Sequence, residues 1–257
     1  MVTLFQERME RLKRILFPPT CGLGEKPLIS NPGEVVPESV PQKDYSWFCV
    51  CLDNGHGNNT PGKRSPYAAD EKNLPPLFLR EYEWAREMTH LLRDRLEVLG
   101  VNVFMITPED YDVSLTSRYK RANLFKQEHP NLKCVLLSVH NDASGDGSAW
   151  MKANGWSVWT TEGVNNSDKL ASFLYDAAEE IFPEDKKIRK YKLTGTERDF
   201  EKNYTIIYGA NMPAVLTENF FQDNIEDVEY LLSDKGMDDI INVHIKGLLD
   251  YADSIRA

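Results

Sequence analysis

The chain has 257 residues, 41% of them hydrophobic, enough to bury a full core as one large domain with extensions. A formal net charge of −10 argues against a nonspecific nucleic-acid binder or an anionic-membrane binder, since both need a positive surface. No apolar run approaches the roughly 18 residues that suggest a membrane-spanning helix.

Met1 to Phe17 alternates charged and apolar residues and lacks the apolar core and cleavage site of a secretory signal, so synthesis in the cytoplasm is expected. Within it, Glu7 to Phe17 reads as a short amphipathic helix stopped by Pro18 and Pro19. A proline- and glycine-containing strap follows, so residues 1–44 are expected to form an arm and residues 45–257 the compact domain. The four cysteines, Cys21, Cys49, Cys51 and Cys134, lack the paired spacing of a zinc knuckle. Cys49 and Cys51 share one face of a predicted strand and, with Cys134, read as small buried hydrophobes.

Trp47 to Leu52 predicts a buried strand that delivers Asp53-Asn54-Gly55-His56-Gly57 to the edge of a sheet. Glycines on both sides of His56 allow close approach by a metal or substrate, although a histidine in a plain tight turn fits the same pattern. Gly57 to Pro76 has no hydrophobic period, and long loops beside a site are often functional. Leu79 to Leu99 is a helix with a stripe of Trp84, Met88, Leu91, Leu92, Leu96 and Leu99, ended by Gly100. Val101 to Ile106 is a strand, and Ser114 to Gln127 a helix with a serine cap.

Cys134 to Val139 is a second buried strand ending in a histidine, His140. Ligand sites in open parallel sheets lie beyond the carboxyl ends of the strands, so His56 and His140 suggest a metal pair. His90, His129 and His244 fall in a helix, a polar loop and the last helix, and read as structural or solvent-facing.

Trp156 to Thr160 predicts a strand and Ser167 to Ile181 a helix. Pro183 to Lys202 is densely charged and reads as a solvated surface or a mobile cover over a groove. Tyr204 to Tyr208 is read as a strand, and Pro213 to Thr217 as another, ending in Glu218. A carboxylate closing so apolar a run is costly without a partner, which favours function. Ile225 to Ser254 holds two helices.

Two histidines and one carboxylate around an open position make a catalytic zinc set, with Glu81 or Glu83 as the candidate third ligand. Zinc activates water and polarises a carbonyl, and Glu218 could then serve as base and proton donor.

These motifs resemble the zinc-dependent N-acetylmuramoyl-L-alanine amidases of the amidase-3 group. Leu52 to Gly57 is similar to the family's opening Asp-x-Gly-His-Gly, with Asn54 where proline is usual and Asn58 where a further glycine often stands. Glu81 resembles the glutamate that opens the first long helix, Ser138 to Ala143 the Ser-x-His motif, and Pro213 to Glu218 with Asn224 and Glu226 the closing motif. Ser114, Arg118 and Ala122-Asn123 also fall at family positions, whereas Phe220 stands where glycine is common, which suggests a different pocket shape near Glu218.

The resemblance implies a single α/β domain with a mostly parallel, twisted sheet of about six strands and helices on both faces. It implies one Zn2+ held by His56, Glu81 and His140, Glu218 as the catalytic group, and peptidoglycan as substrate, cut between N-acetylmuramic acid and L-alanine. With no evident leader, action on the cell wall would follow export, lysis or leader removal, as for a phage or prophage endolysin. The alternatives are a zinc carboxypeptidase or other amidohydrolase, for which Arg64, Arg80 and Arg198 could supply a carboxylate clamp, and an inactive peptidoglycan-binding module. Oligomeric state is left open.

Overall fold

The computed structural model describes residues 43–66, 77–191 and 197–256. The expected Glu7 to Phe17 helix, the strap after it and Cys21 lie outside the described residues, as do parts of the two polar loops.

Three buried strands carry the site. β1 (Phe48–Asp53), β3 (Lys133–Asp142) and β6 (Ala214–Phe221) are buried almost throughout, as expected of strands covered on both faces. With β2 (Asn102–Met105), β4 (Ser157–Thr160) and β5 (Phe200–Glu201) they form a six-stranded sheet of order β2-β1-β3-β6-β4-β5. All neighbours pair in parallel except β4 and β6.

The helices are α1 (Glu81–Val98), α2 (Leu115–Glu128), α3 (Asn166–Ile181), α4 (Thr205–Tyr208), α5 (Ile225–Leu232) and α6 (Asp234–Ile255). Their starts follow from capping: Ser114, Asn165, Asn224 and Ser233 each accept a backbone N–H of the first turn. The α1 stripe of Trp84, Met88, Leu91, Leu92 and Leu96 is buried as its periodicity requires. α6 packs against α1 and α3 on one side of the sheet. On the other side, Cys49, Cys51, Leu136, Ala214 and Leu216 meet Ala122 of α2 and Ile206 and Ile207 of α4.

Two expectations are corrected. Tyr204 to Tyr208 is not a strand; Thr205–Tyr208 is the short helix α4. Ile206 and Ile207 are both buried, which the alternating faces of a half-buried strand do not allow but a turn of helix does. Within the charged segment, Phe200–Glu201 forms β5 beside β4, and Ile188 bridges to Trp156. Arg198 pairs with Asp176 and Glu179 of α3, and Arg189 with Asp142. The described parts of the segment thus contact β4, α3 and the end of β3.

Candidate functional site

β1 ends in Asp53, whose alternation places it on the face that α2 covers. There it meets Arg118 of α2 at 2.7 Å, and both side chains are essentially solvent-free. Asp53 Oδ2 also accepts the Ser138 hydroxyl at 2.6 Å. The rest of the guanidinium donates to the Val113 carbonyl, to Asp112 and, at 3.0 Å, to the His56 carbonyl. A buried arginine therefore holds the backbone of the residue whose imidazole enters the site. The turn it holds is tight: Gly55 has φ 55° and His56 itself φ 29°. A Cβ at Gly57 would lie 2.1 Å from the Asp112 nitrogen, so only glycine fits there.

Glu81 opens α1, its N–H donating to the Lys63 carbonyl at 3.1 Å. Its side chain is 1% exposed, and Oε1 lies 3.1 Å from His56 Nε2 and 2.9 Å from His140 Nδ1. The Asn141 N–H donates to the same oxygen at 3.2 Å, and Gln222 Nε2 donates to Oε2 at 3.0 Å. Glu83 points elsewhere, 54% exposed and paired with Arg80. Of the two candidate carboxylates, it is Glu81 that the fold brings to the histidines. Burial alone would raise the Glu81 pKa, but hydrogen bonds from His140 and His56 reverse this and hold it well below the carboxylate range. Burial opposes charge on His140 in the same way, yet Glu81 raises it above the usual histidine value.

The two imidazoles meet edge to face at 87°, with ring centroids 5.0 Å apart. Glu218 of β6 pairs across the ladder with His140 of β3. Beyond that pair the register slips, because two residues, Asn219 and Phe220, stand opposite Asn141 alone. Phe220 takes φ 61°, a left-handed conformation at the position where the family commonly has glycine. Its ring turns into the core against Phe182 and Tyr230 and is not among the residues lining the cavity. Asn219 uses the extra length to tie the bulge down: Nδ2 donates to the His140 carbonyl at 3.0 Å and Oδ1 accepts Trp156 Nε1 at 2.9 Å.

His56, Glu81, His140 and Glu218 open together on a cavity of about 430 Å³, with Lys63 and Tyr204 also on its walls. Glu218 Oε2 is buried there without a hydrogen-bond partner. Burial pushes the Glu218 pKa up to about 8, with His140 opposing and Asp142 adding to the shift. Arg64, Arg80 and Arg198 do not line the cavity, so the arginines that kept the carboxypeptidase reading open are not at the site.

The donor atoms of His56, Glu81 and His140 all lie within 4.8 Å of one another. Ligands about 2.1 Å from a shared tetrahedral ion stand roughly 3.4 Å apart, so little movement would close this set around a metal. Two imidazoles and one carboxylate suit zinc, whereas magnesium and calcium take all-oxygen shells. His90 is half-buried in α1, His129 is the exposed C-cap of α2, and His244 is fully buried in α6; none lines the cavity. The pattern of residues pointed to His56, His140 and Glu218, but not to Gln222 or Asn219. Their contacts depend on the β6 bulge, which no local signal announces.

The family model for N-acetylmuramoyl-L-alanine amidase matches residues 50–250. An endolysin of Bacillus phage SPP1 is 28% identical over 203 residues, covering 78% of this chain and 65% of the relative. The N-acetylmuramoyl-L-alanine amidase AmiC of Neisseria meningitidis serogroup B is 24% identical over 220 residues, 72% of this chain and 48% of the relative. The chain thus spans between about half and just under two thirds of these two relatives. Among solved structures, an N-acetylmuramoyl-L-alanine amidase from Clostridium difficile 630 aligns at TM-score 0.62 and 21% identity, over 82% of this chain and all of that one. Ami1 from Mycobacterium smegmatis aligns at TM-score 0.61 and 17% identity, again over 82% of this chain and all of that one, and both likenesses establish the fold.

Proposed function

The chain belongs to the amidase-3 family of N-acetylmuramoyl-L-alanine amidases, and from that premise we propose that it hydrolyses the amide between N-acetylmuramic acid and L-alanine in peptidoglycan. The observation that carries this reading is the convergence of His56, Glu81 and His140 on a cavity that also holds the unpartnered Glu218 carboxyl. In it, His56, Glu81 and His140 hold one zinc ion and Glu218 moves the proton. Zinc, when bound, supplies Lewis acidity for carbonyl polarisation and water activation.

The chain's own groups do the rest. Gln222 and the Asn141 N–H fix the Glu81 carboxylate, so that Oε1 faces both imidazoles and its negative charge offsets a cation's. Burial pushes the Glu218 pKa up to about 8, and a cation held by His56, Glu81 and His140 would draw it down toward neutrality, where a group can both accept and return a proton. The water oxygen bonds to the lactyl carbonyl carbon, Glu218 takes the water proton, and the C–N bond breaks as that proton passes to the alanine nitrogen. The second water proton leaves the new carboxyl group and also ends on the nitrogen, so the products are a lactyl carboxylate and the ammonium of L-alanine. The site of action is accordingly the cell wall; among the described residues no helix is long and apolar enough to cross a membrane.

The test is purified protein on isolated cell walls, with and without a chelator. New N-terminal alanine that appears only without chelator supports the reading. Release of free amino acids from stem-peptide termini would instead indicate a carboxypeptidase, and no product at all a binding module.

A further inference from the structure

Cys49, Cys51 and Cys134 have Sγ atoms all within 4.8 Å of one another, buried and unoxidised. Strand geometry alone does not require this. Cys49 and Cys134 are direct partners in the β1–β3 ladder, but Cys51 is two residues along β1, roughly 6.6 Å away at the backbone. The Cys49 and Cys51 sulfurs therefore lie closer together than the backbone positions that carry them, and both converge on Cys134. Three sulfurs about 2.3 to 2.5 Å from a central ion in a trigonal plane stand roughly 4 to 4.3 Å apart, within the observed spacing.

The surroundings exclude hard cations. The cysteines belong to one core group with Ile106, Ala122, Leu136, Ile206 and Met212, whose side chains bring no oxygen. Cys134 is the one of the three at the edge of solvent, 6% exposed. An incoming cation thus meets Cys134 first, with two more sulfurs behind it.

We propose that Cys49, Cys51 and Cys134 form a second cation site, a three-thiolate pocket for one soft d10 ion of the copper(I), zinc or cadmium class. It sits on the same sheet face as His140 but toward the amino ends of β1 and β3, roughly 20 Å away by the six-residue rise from Cys134 to His140. Each thiol that binds releases its proton to solvent, and no redox change is involved. The site stands independently of the amidase reading.

The experiment uses the full, reduced chain, already supplied with zinc, titrated with cadmium(II) under nitrogen. Expected is an ultraviolet thiolate-to-cadmium band that saturates at one ion per chain with the intensity of three thiolates, a band that imidazole and carboxylate ligands cannot produce. Cys49→Ala and Cys134→Ala should each remove most of it, and Cys21→Ala should leave it intact. Should the core variants fail to fold, thiol alkylation of the wild-type chain in mild urea replaces them, with cadmium protecting three thiols. Absence of the band at saturating cadmium, its persistence in both core variants, or alkylation unaffected by cadmium would each overturn the site.

Discussion

Glu218 faces His140 across the β3–β6 ladder, paired in register at the carboxyl end of the sheet, with one carboxylate oxygen buried and unbonded. An unpaired buried carboxylate is costly, and here it borders the cavity where the histidines converge. Glu218→Gln keeps the shape and cannot carry the proton. Wall hydrolysis should fall about 10² to 10⁴-fold, the usual contribution of a positioned acid-base group, while zinc content stays near that of the parent. Loss of zinc in this variant would make Glu218 a ligand instead.

His56→Ala, His140→Ala and Glu81→Gln should each lower zinc content sharply, measured by elemental analysis after dialysis. Glu83→Gln and His90→Ala should not, since Glu83 is exposed on the Arg80 side and His90 does not border the cavity.

Gln222 tests whether a residue outside the donor set controls affinity. Its amide donates to Glu81 Oε2 at 3.0 Å, and Gln222→Leu removes that bond without adding charge. Outer-shell partners of this kind are worth about 10 to 100-fold in metal affinity. Chelator competition should show a loss of that size while the metal-free melting temperature changes little. A variant that melts early and binds zinc normally would mark Gln222 as purely structural.

Phe220 carries backbone strain at φ 61° together with a fully buried ring. Truncation removes packing, and only glycine also removes the strain. Both Phe220→Ala and Phe220→Gly should be destabilised, the alanine variant by about 3 to 5 kcal/mol. Glycine should be the more stable of the two by about 1 kcal/mol, because left-handed geometry costs other residues that much. Equal urea midpoints for the two variants would show that the strain is already relieved.

His244 supplies a pH dependence away from the cavity. It is enclosed by α6 and the sheet, its Nδ1 donating to the Ile240 carbonyl at 2.7 Å and its Nε2 3.1 Å from the Thr217 hydroxyl. Burial pulls its pKa down to about 4, so the folded chain resists a proton that the unfolded chain takes up near 6.5. Stability from this group is full above about pH 6.5 and is lost as pH falls toward 4, by about 2 kcal/mol at pH 5. Urea unfolding at pH 7 and pH 5 should show His244→Gln losing about that much less than the parent.

Much of this was legible because β1, β3 and β6 carry buried apolar stretches that give way to polar groups, and His56, His140 and Glu218 at those places line the cavity. α4 escaped because three β-branched residues and a tyrosine read as a strand until the burial of both Ile206 and Ile207 is known. β5 is two residues long and depends on pairing with β4, and a strand so short leaves no periodicity to read. Arg118 was placed in the right helix, but its role needs Asp53 and the His56 carbonyl brought together across more than sixty residues of chain.

The alternation along β3 has a consequence for how this chain can change over time. Cys134, Leu136, Ser138 and His140 occupy one face, so thiol, core, network and imidazole positions share a single count of residues. Substitutions along that row can be absorbed one at a time. Deleting or inserting one residue within it would put the residues before and after that point on opposite faces, so that Cys134 and His140 could no longer share one. Lineages descending from this sequence should therefore vary in side chain along β3 while keeping its length, and should place their insertions in the loops on either side.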